Sequence, residues 1–200
     1  MTAKQQRNHM IETQDSSRVG DWIQTYTGKA MFPLDPRVDE ISLIDIGHAL
    51  GNMCRFTGHS KQFYSVAEHS CRVADLVPPE HRLCALLHDA SEAYLSDIAR
   101  PVKTQPQFAG YRVVEDKLQS TIYAKFGLGP EMPEEVRRAD EIMLAIEARD
   151  LMWPLRPGWE KWLVQIGDTT TSVAEPWTPK ESKSFWLDAV EAELRRRAGQ

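Results

Sequence analysis

The sequence is poor in cysteine and has no long apolar run. Its 200 residues include three cysteines, Cys54, Cys71 and Cys84, and none of them forms a CxxC pair. This odd number predicts reduced, mostly buried thiols, and it argues against a disulfide framework or a thiolate metal site. No apolar stretch approaches the roughly 20 residues of a membrane-spanning helix. The polar start MTAKQQRNHMIETQDSS lacks the apolar core of a signal peptide, so we expect a cytoplasmic protein without a membrane partner.

Positive charge is also scarce. The chain has 24 lysines and arginines against 29 aspartates and glutamates, a formal net charge of -5. This balance argues against binding of a nucleic-acid polymer, which requires a broad basic surface. It does not argue against a small anionic substrate, because a metal ion and a few basic side chains can reverse the potential inside one pocket.

The pattern of apolar residues predicts an all-α fold. Helical spacing recurs in six segments, near residues 42–53, 63–77, 79–88, 111–126, 133–146 and 179–197. Residues 1–20 show no sustained apolar period, which predicts a disordered N-terminal segment, and 21–200 are predicted to form one domain. The segment around Pro33 and Pro36 is predicted to be irregular or short β structure. Residues 154–180 predict a long irregular loop or a short hairpin before the last helix.

Ionisable side chains interrupt one apolar run. In LCALLHDASEAYLSD, His88 and Asp89 end the run, and Glu92 and Asp97 follow. Burying such groups without partners costs several kcal/mol each, and a bound divalent cation would offset that cost. Together with His69 upstream and Asp140 downstream, the pattern predicts a metal centre assembled from several helices.

The ligand types indicate which metal would fit. The candidate ligands His69, His88, Asp89 and Asp140 offer nitrogen and oxygen, which suits Zn, Mn, Fe, Co or Ni better than Ca. Adjacent residues on a helix diverge by about 100°, so His88 and Asp89 can share an ion only near a helix end or distortion. Four protein ligands leave positions for water and a phosphate oxygen.

Two further carboxylates are candidates for proton transfer. Glu92 follows His88 by four residues, which places both on one face if the helix continues. Glu92 is predicted to take the proton of an attacking water or to bind a second divalent ion such as Mg, together with Asp97. Paired carboxylates beside a metal let one group position water while the other handles its proton.

Each of these residues also has a simpler interpretation. His69 could be a hydrogen-bonded histidine between helices, and His88-Asp89 could be a helix C-terminus with its cap. Asp140 could be a solvated charge beside Arg137 or Arg138. Glu92 could form a surface ion pair. The joint pattern favours the metal centre, because all of these simpler interpretations would have to hold together.

Three segments carry a resemblance to a known family. The order VAEHS, then LLHDASEAYLSDIARPVK, then RRADEIMLAIEARDLM resembles the HD-domain metal-dependent phosphohydrolases over residues 40–195. The chain is most similar to small bacterial 5'-deoxynucleotidases and to phage-type deoxynucleoside triphosphate hydrolases. The resemblance implies an HD-domain helical bundle with His69, His88, Asp89 and Asp140 as metal ligands. It implies Glu92 and Asp97 as catalytic carboxylates.

The same resemblance implies a substrate-binding set. The segment NMCRFTGH is similar to the family segment in which an arginine and an aromatic residue approach the nucleotide. Arg55 would bind phosphate through its guanidinium fork, and Phe56 would contact the sugar or base. Lys103 stands where a phosphate-binding lysine is expected. The simpler alternatives are a surface ion pair for Arg55, a core position for Phe56 and a solvent-exposed Lys103.

The function implied is a metal-dependent hydrolase of nucleotide metabolism. A deoxynucleoside triphosphate (dATP-type) triphosphohydrolase is favoured because RFTGH and YLSDIARPVK resemble the phage branch. A 5'-deoxynucleotidase, a hydrolase of cyclic or alarmone nucleotides and a non-catalytic nucleotide-binding module are the alternatives. Four tryptophans are candidates either for a homo-oligomer contact or for a packed loop, namely Trp153, Trp159, Trp162 and Trp177.

Overall fold

The computed structural model describes residues 17–152, 154–167, 169–173 and 175–199. This part of the chain is mostly helical and has a single two-stranded sheet, so the all-α prediction is confirmed. The strands β1 (Ile23–Gln24) and β2 (Ala30–Met31) pair antiparallel in the segment predicted to be irregular or short β structure. The α-helices that follow within the described residues are α1 (Leu43–Asn52), α2 (Val66–Ala74), α3 (Arg82–Leu87), α4 (Glu92–Leu95), α5 (Arg100–Lys103), α6 (Ala109–Lys125), α7 (Glu134–Leu151), α8 (Glu160–Leu163) and α9 (Pro179–Arg197).

Side-chain caps set the start of three helices. Ser42 Oγ accepts a hydrogen bond from the Asp45 amide at α1, and Ser65 Oγ accepts one from the Glu68 amide at α2. Thr178 forms a capping box at α9 with Glu181. Such caps satisfy amides that have no partner within the helix. Serine at position 65 therefore explains why α2 begins later than the predicted start near residue 63.

The core lies where α9 packs against α1, α2 and α3. Gly47 permits a close approach of α1 and α9, because a Cβ there would lie 3.0 Å from the side chains of Trp186 and Leu187. The Trp186 indole is fully buried, and its Nε1 donates to the Leu86 carbonyl at 2.8 Å. This bond anchors α3 at Leu86, two residues before its C-cap His88.

Three local predictions are corrected. The helix predicted over 79–88 is a short 3₁₀ turn, Pro79–His81, followed by α3, which ends at Leu87. The apolar spacing of residues 179–197 predicts an inward Phe185, but this side chain is 45% exposed, because Trp186 and Val190 occupy the buried stripe of α9. The segment predicted as a loop or hairpin before α9 contains the one-turn helix α8, and its described residues form no strand.

The N-terminal predictions are only partly covered by the structure. Residues 1–16 of the predicted disordered segment lie outside the described residues, as does Trp153. Arg18 forms ion pairs with Asp35 and Glu40. Among the described helices, none combines the length and apolar character that a bilayer crossing requires.

Candidate metal centre

The four predicted ligands meet at one point in the fold. His69 comes from α2, His88 and Asp89 from the turn after α3, and Asp140 from α7. The Nε2 atoms of His69 and His88 are 3.2 Å apart. Asp140 Oδ1 lies 3.1 Å from His69 Nε2, and Asp89 Oδ2 lies 3.2 Å from His88 Nε2. The ligand atoms of His69, His88 and Asp140 all lie within 4.8 Å of one another.

The end of α3 allows adjacent residues to share this point. His88 is the C-cap of α3, and the turn over residues 88–91 precedes α4, which begins at Glu92. The prediction that His88 and Asp89 could meet one ion only near a helix end therefore agrees with the backbone. The condition under which Glu92 would share a helix face with His88 is not met, because α3 ends at Leu87 and Glu92 begins α4.

Hydrogen bonds at the far side of each ring fix both imidazoles. His88 Nδ1 donates to the Ala85 carbonyl at 2.7 Å, and His69 Nδ1 donates to Glu147 Oε1 at 2.6 Å. A carbonyl oxygen can only accept, and Glu147 Oε1 also accepts from the Tyr64 hydroxyl at 2.8 Å. Each neutral ring must then present a lone pair from Nε2. This is the orientation that a second hydrogen bond imposes on metal-binding histidines.

The donor set fits a divalent transition metal. Two Nε2 lone pairs and two carboxylates converge, and such a group of acceptors is stable only with protons or a cation among them. The imidazole side chains are 0% and 1% exposed, whereas the Asp89 and Asp140 side chains are 22% and 23% exposed. The carboxylates therefore form the side of the centre that a ligand from solvent would meet. Nitrogen with oxygen suits Zn, Mn, Fe, Co or Ni.

The charges of the centre depend on one another. Burial and the Arg55 guanidinium lower the pKa of His69, but Glu147 and Asp140 outweigh them and raise it to about 9. Burial raises the pKa of the Asp140 carboxyl, yet the two imidazoles lower it to about 2. Burial also opposes ionisation of Asp89, but His88, His69 and Arg55 together hold its pKa well below the usual range. Both aspartates are therefore anionic at neutral pH.

Glu147 is a functional candidate that the sequence analysis missed. It is fully buried, and α7 places it seven residues after Asp140, on the same side of the helix. Asp140 Oδ1 therefore lies beside Nε2 of the His69 imidazole, while Glu147 Oε1 accepts from its Nδ1. A signal was present in the sequence, since a glutamate directly follows Ile146 on the buried face of an amphipathic helix.

Arg55 connects this buried layer to the centre. Its Nε lies 3.3 Å from Glu147 Oε2, and its Nη1 donates to Asp89 Oδ2 at 3.4 Å. Burial lowers the pKa of Arg55, but Glu147 and Asp89 outweigh burial and raise it above its already high value. The side chain is 11% exposed, so the guanidinium is not the surface ion pair considered as the alternative.

Glu92 is a buried carboxylate with an unused acceptor. Only 5% of the residue is exposed, and its Oε2 has no hydrogen-bond partner among the described residues. Burial, and then the charges of Asp89 and Asp97, raise its pKa well above the usual value. Burial likewise raises the pKa of Asp97. The alternative interpretation of Glu92 as a surface ion pair is excluded by its position.

A cleft of about 590 Å³ opens onto the centre. Asp89, Asp140, Glu92 and Asp97 line it together with Arg55, Phe56 and Lys103, so the predicted carboxylates and substrate-binding residues share one space. Its remaining lining includes Arg100, Leu144 and two tryptophans, Trp159 and Trp162. The volume lies within the range of small-molecule sites.

The backbone beside this cleft is strained. Phe56 and Thr57 have φ angles of 55° and 54°, and Ser96, just before Asp97, has a φ of 73°. Side chains other than glycine rarely adopt these angles, and such strain concentrates at functional sites. The strained residues are direct neighbours of Arg55 and Asp97 in the chain, and both of these side chains line the cleft.

No family model matches the chain, but two proteins from curated collections are similar to it. The uncharacterized protein YfdR of Escherichia coli (strain K12) is 42% identical over 143 residues, which are 68% of this chain and 79% of YfdR. The uncharacterized protein RCAP_rcc00048 of Rhodobacter capsulatus is 34% identical over 137 residues, 64% of this chain and 69% of that protein. The chain belongs to the YfdR family.

Two substrate-binding predictions for this YfdR-family protein need refinement. Lys103 lines the cleft, but its Nζ donates to Glu115 Oε1 at 2.9 Å, so its charge is shared with a carboxylate. Phe56 is half-buried in the cleft lining and lies under Arg55, with the guanidinium carbon 5.6 Å from the ring centre. Phe56 is therefore not an ordinary core residue.

Several simpler alternatives are excluded in the same way. Arg137, proposed as a partner of Asp140, instead forms an ion pair with Glu134. Cys71 and Cys84 are buried and Cys54 is half-buried, and all three thiols are free. Within the described residues, histidine and carboxylate side chains form the candidate metal centre of this YfdR-family protein.

Proposed function

We propose that this YfdR-family protein is a metal-dependent phosphohydrolase that acts on deoxynucleotides. The observation that carries the proposal is the convergence of two imidazole Nε2 atoms 3.2 Å apart with two carboxylates at the floor of a cleft. His69, His88, Asp89 and Asp140 would hold the cation. When bound, the cation would polarise a phosphoryl oxygen and lower the pKa of an attacking water.

Basic side chains in the cleft support an anionic substrate. Arg55 presents a guanidinium that Asp89 and Glu147 hold at the edge of the centre. Arg100 and Lys103 both lie on α5, and their cationic groups line the same cleft. Such groups bind phosphate oxygens and neutralise charge that develops during phosphoryl transfer.

Two further carboxylates support a role for proton transfer in the proposed reaction. Glu92 and Asp97 line the cleft beside Asp89, and one Glu92 oxygen has no partner among the described side chains. We assign Glu92 to accept the proton of the attacking water and Asp97 to orient that water. The same pair offers oxygen ligands for a second ion such as Mg.

The proposed substrate is a deoxynucleoside triphosphate. Arg55, Arg100 and Lys103 line one cleft, so a chain of phosphates would meet more than one cationic side chain along it. Product analysis distinguishes this proposal from a 5'-deoxynucleotidase. A triphosphohydrolase releases nucleoside and inorganic triphosphate, whereas a nucleotidase releases nucleoside and orthophosphate from the monophosphate.

The test is a panel of deoxynucleoside mono- and triphosphates with added Mn, Co, Zn or Mg. Asp89→Ala should abolish turnover, since it removes a proposed ligand. Asp188→Ala, the same substitution at an exposed position of α9, should behave as wild type. Equal turnover by Asp89→Ala and wild type, or no turnover of any nucleotide by metal-loaded wild type, would reject the proposal. Stabilisation by nucleotide without any product would assign a non-catalytic binding module instead.

A further inference from the structure

The cleft has one wall that the proposed chemistry does not use. Its charged lining surrounds the metal centre, and the other side is formed by Leu144, Trp159 and Trp162. Leu144 follows Asp140 by one turn of α7, so the same helix face carries a proposed ligand and then an apolar side chain. The charged residues around the metal centre are therefore directly adjacent to an apolar wall of the cleft.

The two tryptophans have no role in the core. Both are half-buried, and neither belongs to the hydrophobic cluster that includes Trp186, whereas Trp177 packs against that cluster. Large aromatic side chains carry a high apolar area and usually contact something. These two instead present that area to the cleft.

The position of α8 is held from two sides. The helix packs against α7, and the guanidinium carbon of Arg100, on α5, lies 5.6 Å from the Trp162 ring centre. The chain that follows α8 is fastened by Arg149, whose Nη2 donates to the Thr171 carbonyl at 2.6 Å. Trp162 thus lies between α5 and α7, the two helices that carry Lys103 and Asp140.

We propose that Trp159 and Trp162 form a stacking wall for the nucleobase, so that the cleft selects phosphoesters that carry a planar heterocycle. This inference rests on the proposed function, since it assumes that the phosphate lies at the metal centre. Indole rings stack on the π face of any base, so the wall favours all nucleobases over base-free phosphoesters.

The experiment measures binding without catalysis. Full-length protein is treated with a chelator, and binding of deoxyadenosine 5'-monophosphate, thymidine 5'-monophosphate and deoxyribose 5-phosphate is measured by titration calorimetry. Wild type should bind both nucleotides more tightly than the base-free phosphate. Trp162→Ala should reduce that preference about tenfold, in the range known for loss of one base-stacking aromatic. Trp162→Phe should retain most of the preference, because it keeps an aromatic face.

Matched controls separate the possible failures. Trp22→Ala removes a 45% exposed indole just before β1, away from the cleft lining, and should keep the wild-type preference. Trp159→Ala provides a second test of the wall if Trp162→Ala fails to fold, as judged by circular dichroism. The wall is refuted if wild type shows no preference for the base, or if folded Trp159 and Trp162 alanine variants keep it. Equal losses for nucleotide and base-free phosphate would also refute it, since the indoles would then act on the phosphate.

The proposed function can fail separately. If the base preference depends on Trp162 but no metal supports turnover, the hydrolase proposal is wrong and the stacking wall stands. If nucleotides are hydrolysed while the tryptophan variants keep the base preference, the stacking wall is wrong and the hydrolase proposal stands.

Discussion

Replacing Glu147 by glutamine tests whether the buried layer behind His69 supports a metal site. Glutamine has nearly the same volume, so the substitution removes a charge without creating a cavity. Glu147 Oε1 accepts from His69 Nδ1 at 2.6 Å and from Tyr64 at 2.8 Å. The amide oxygen of glutamine can still accept both bonds. The variant therefore keeps both hydrogen bonds to Oε1 and removes the negative charge that Arg55 also contacts.

The expected magnitude follows from the loss of that charge. A hydrogen bond to an ionised group contributes about 1.5–3 kcal/mol, against about 0.5–1.5 kcal/mol for a neutral pair. The imidazole should lose about 1–2 kcal/mol of its preference for a cation at Nε2, which corresponds to about tenfold in affinity. Outer partners of ligating histidines typically contribute about 10–100-fold. We therefore expect Glu147→Gln to weaken binding of Mn or Zn by at least about tenfold.

The assay is competition between the protein and a chromogenic chelator at fixed pH. Glu134→Gln is the matched control, because it makes the same substitution on the same helix at an exposed carboxylate. Thermal unfolding without metal should accompany the assay, since Arg55 loses one of its two carboxylate partners. The reasoning is refuted if both variants bind metal with the same affinity while Glu147→Gln remains folded.

Two further predictions concern packing and thiol chemistry. Gly47→Val should destabilise the fold by about 1–3 kcal/mol, because the valine side chain would meet Trp186 at the α1–α9 contact. Gly110→Ala, with open space around it, should instead stabilise α6 by up to about 1 kcal/mol. Denaturant unfolding measures both, and the same sign for the two variants would contradict the packing argument. Burial raises the pKa of the Cys71 thiol to about 12, so at pH 8 this thiol stays protonated, and iodoacetamide should modify it in urea but not in the folded protein. Peptide mapping by mass spectrometry checks this, and rapid alkylation of folded Cys71 would show that the thiol is accessible.

The sequence predicted the helices whose signals are local. Pro133 and the buried stripe through Val136, Met143 and Ile146 predicted α7, and Pro179 predicted the start of α9. Signals were weaker where several short elements follow one another. The one-turn helix α8 has too few residues for a periodic pattern, and the 3₁₀ turn before α3 resembles a continuous helix in sequence.

The residues of the candidate site were likewise only partly predictable from the sequence. His88, Asp89, Glu92 and Asp97 were found because charged residues interrupt an apolar run, which is a local contradiction visible in sequence. Glu147 was missed because a single acidic residue in a helix rich in charge is usually solvated. Its contact with His69, 78 positions away in the chain, is what assigns it to the site.

The amino-acid sequence by itself determined the chemical types at the centre and the helices that carry them, because capping and apolar periodicity act over a few residues. The tertiary structure alone decided which nitrogen of each imidazole faces the candidate metal centre. It also decided that Trp159 and Trp162 line the cleft. These arrangements depend on helices remote in sequence meeting at fixed distances. The close approach at Gly47 and the Trp186 bond to Leu86 set those distances, and no local pattern encodes them.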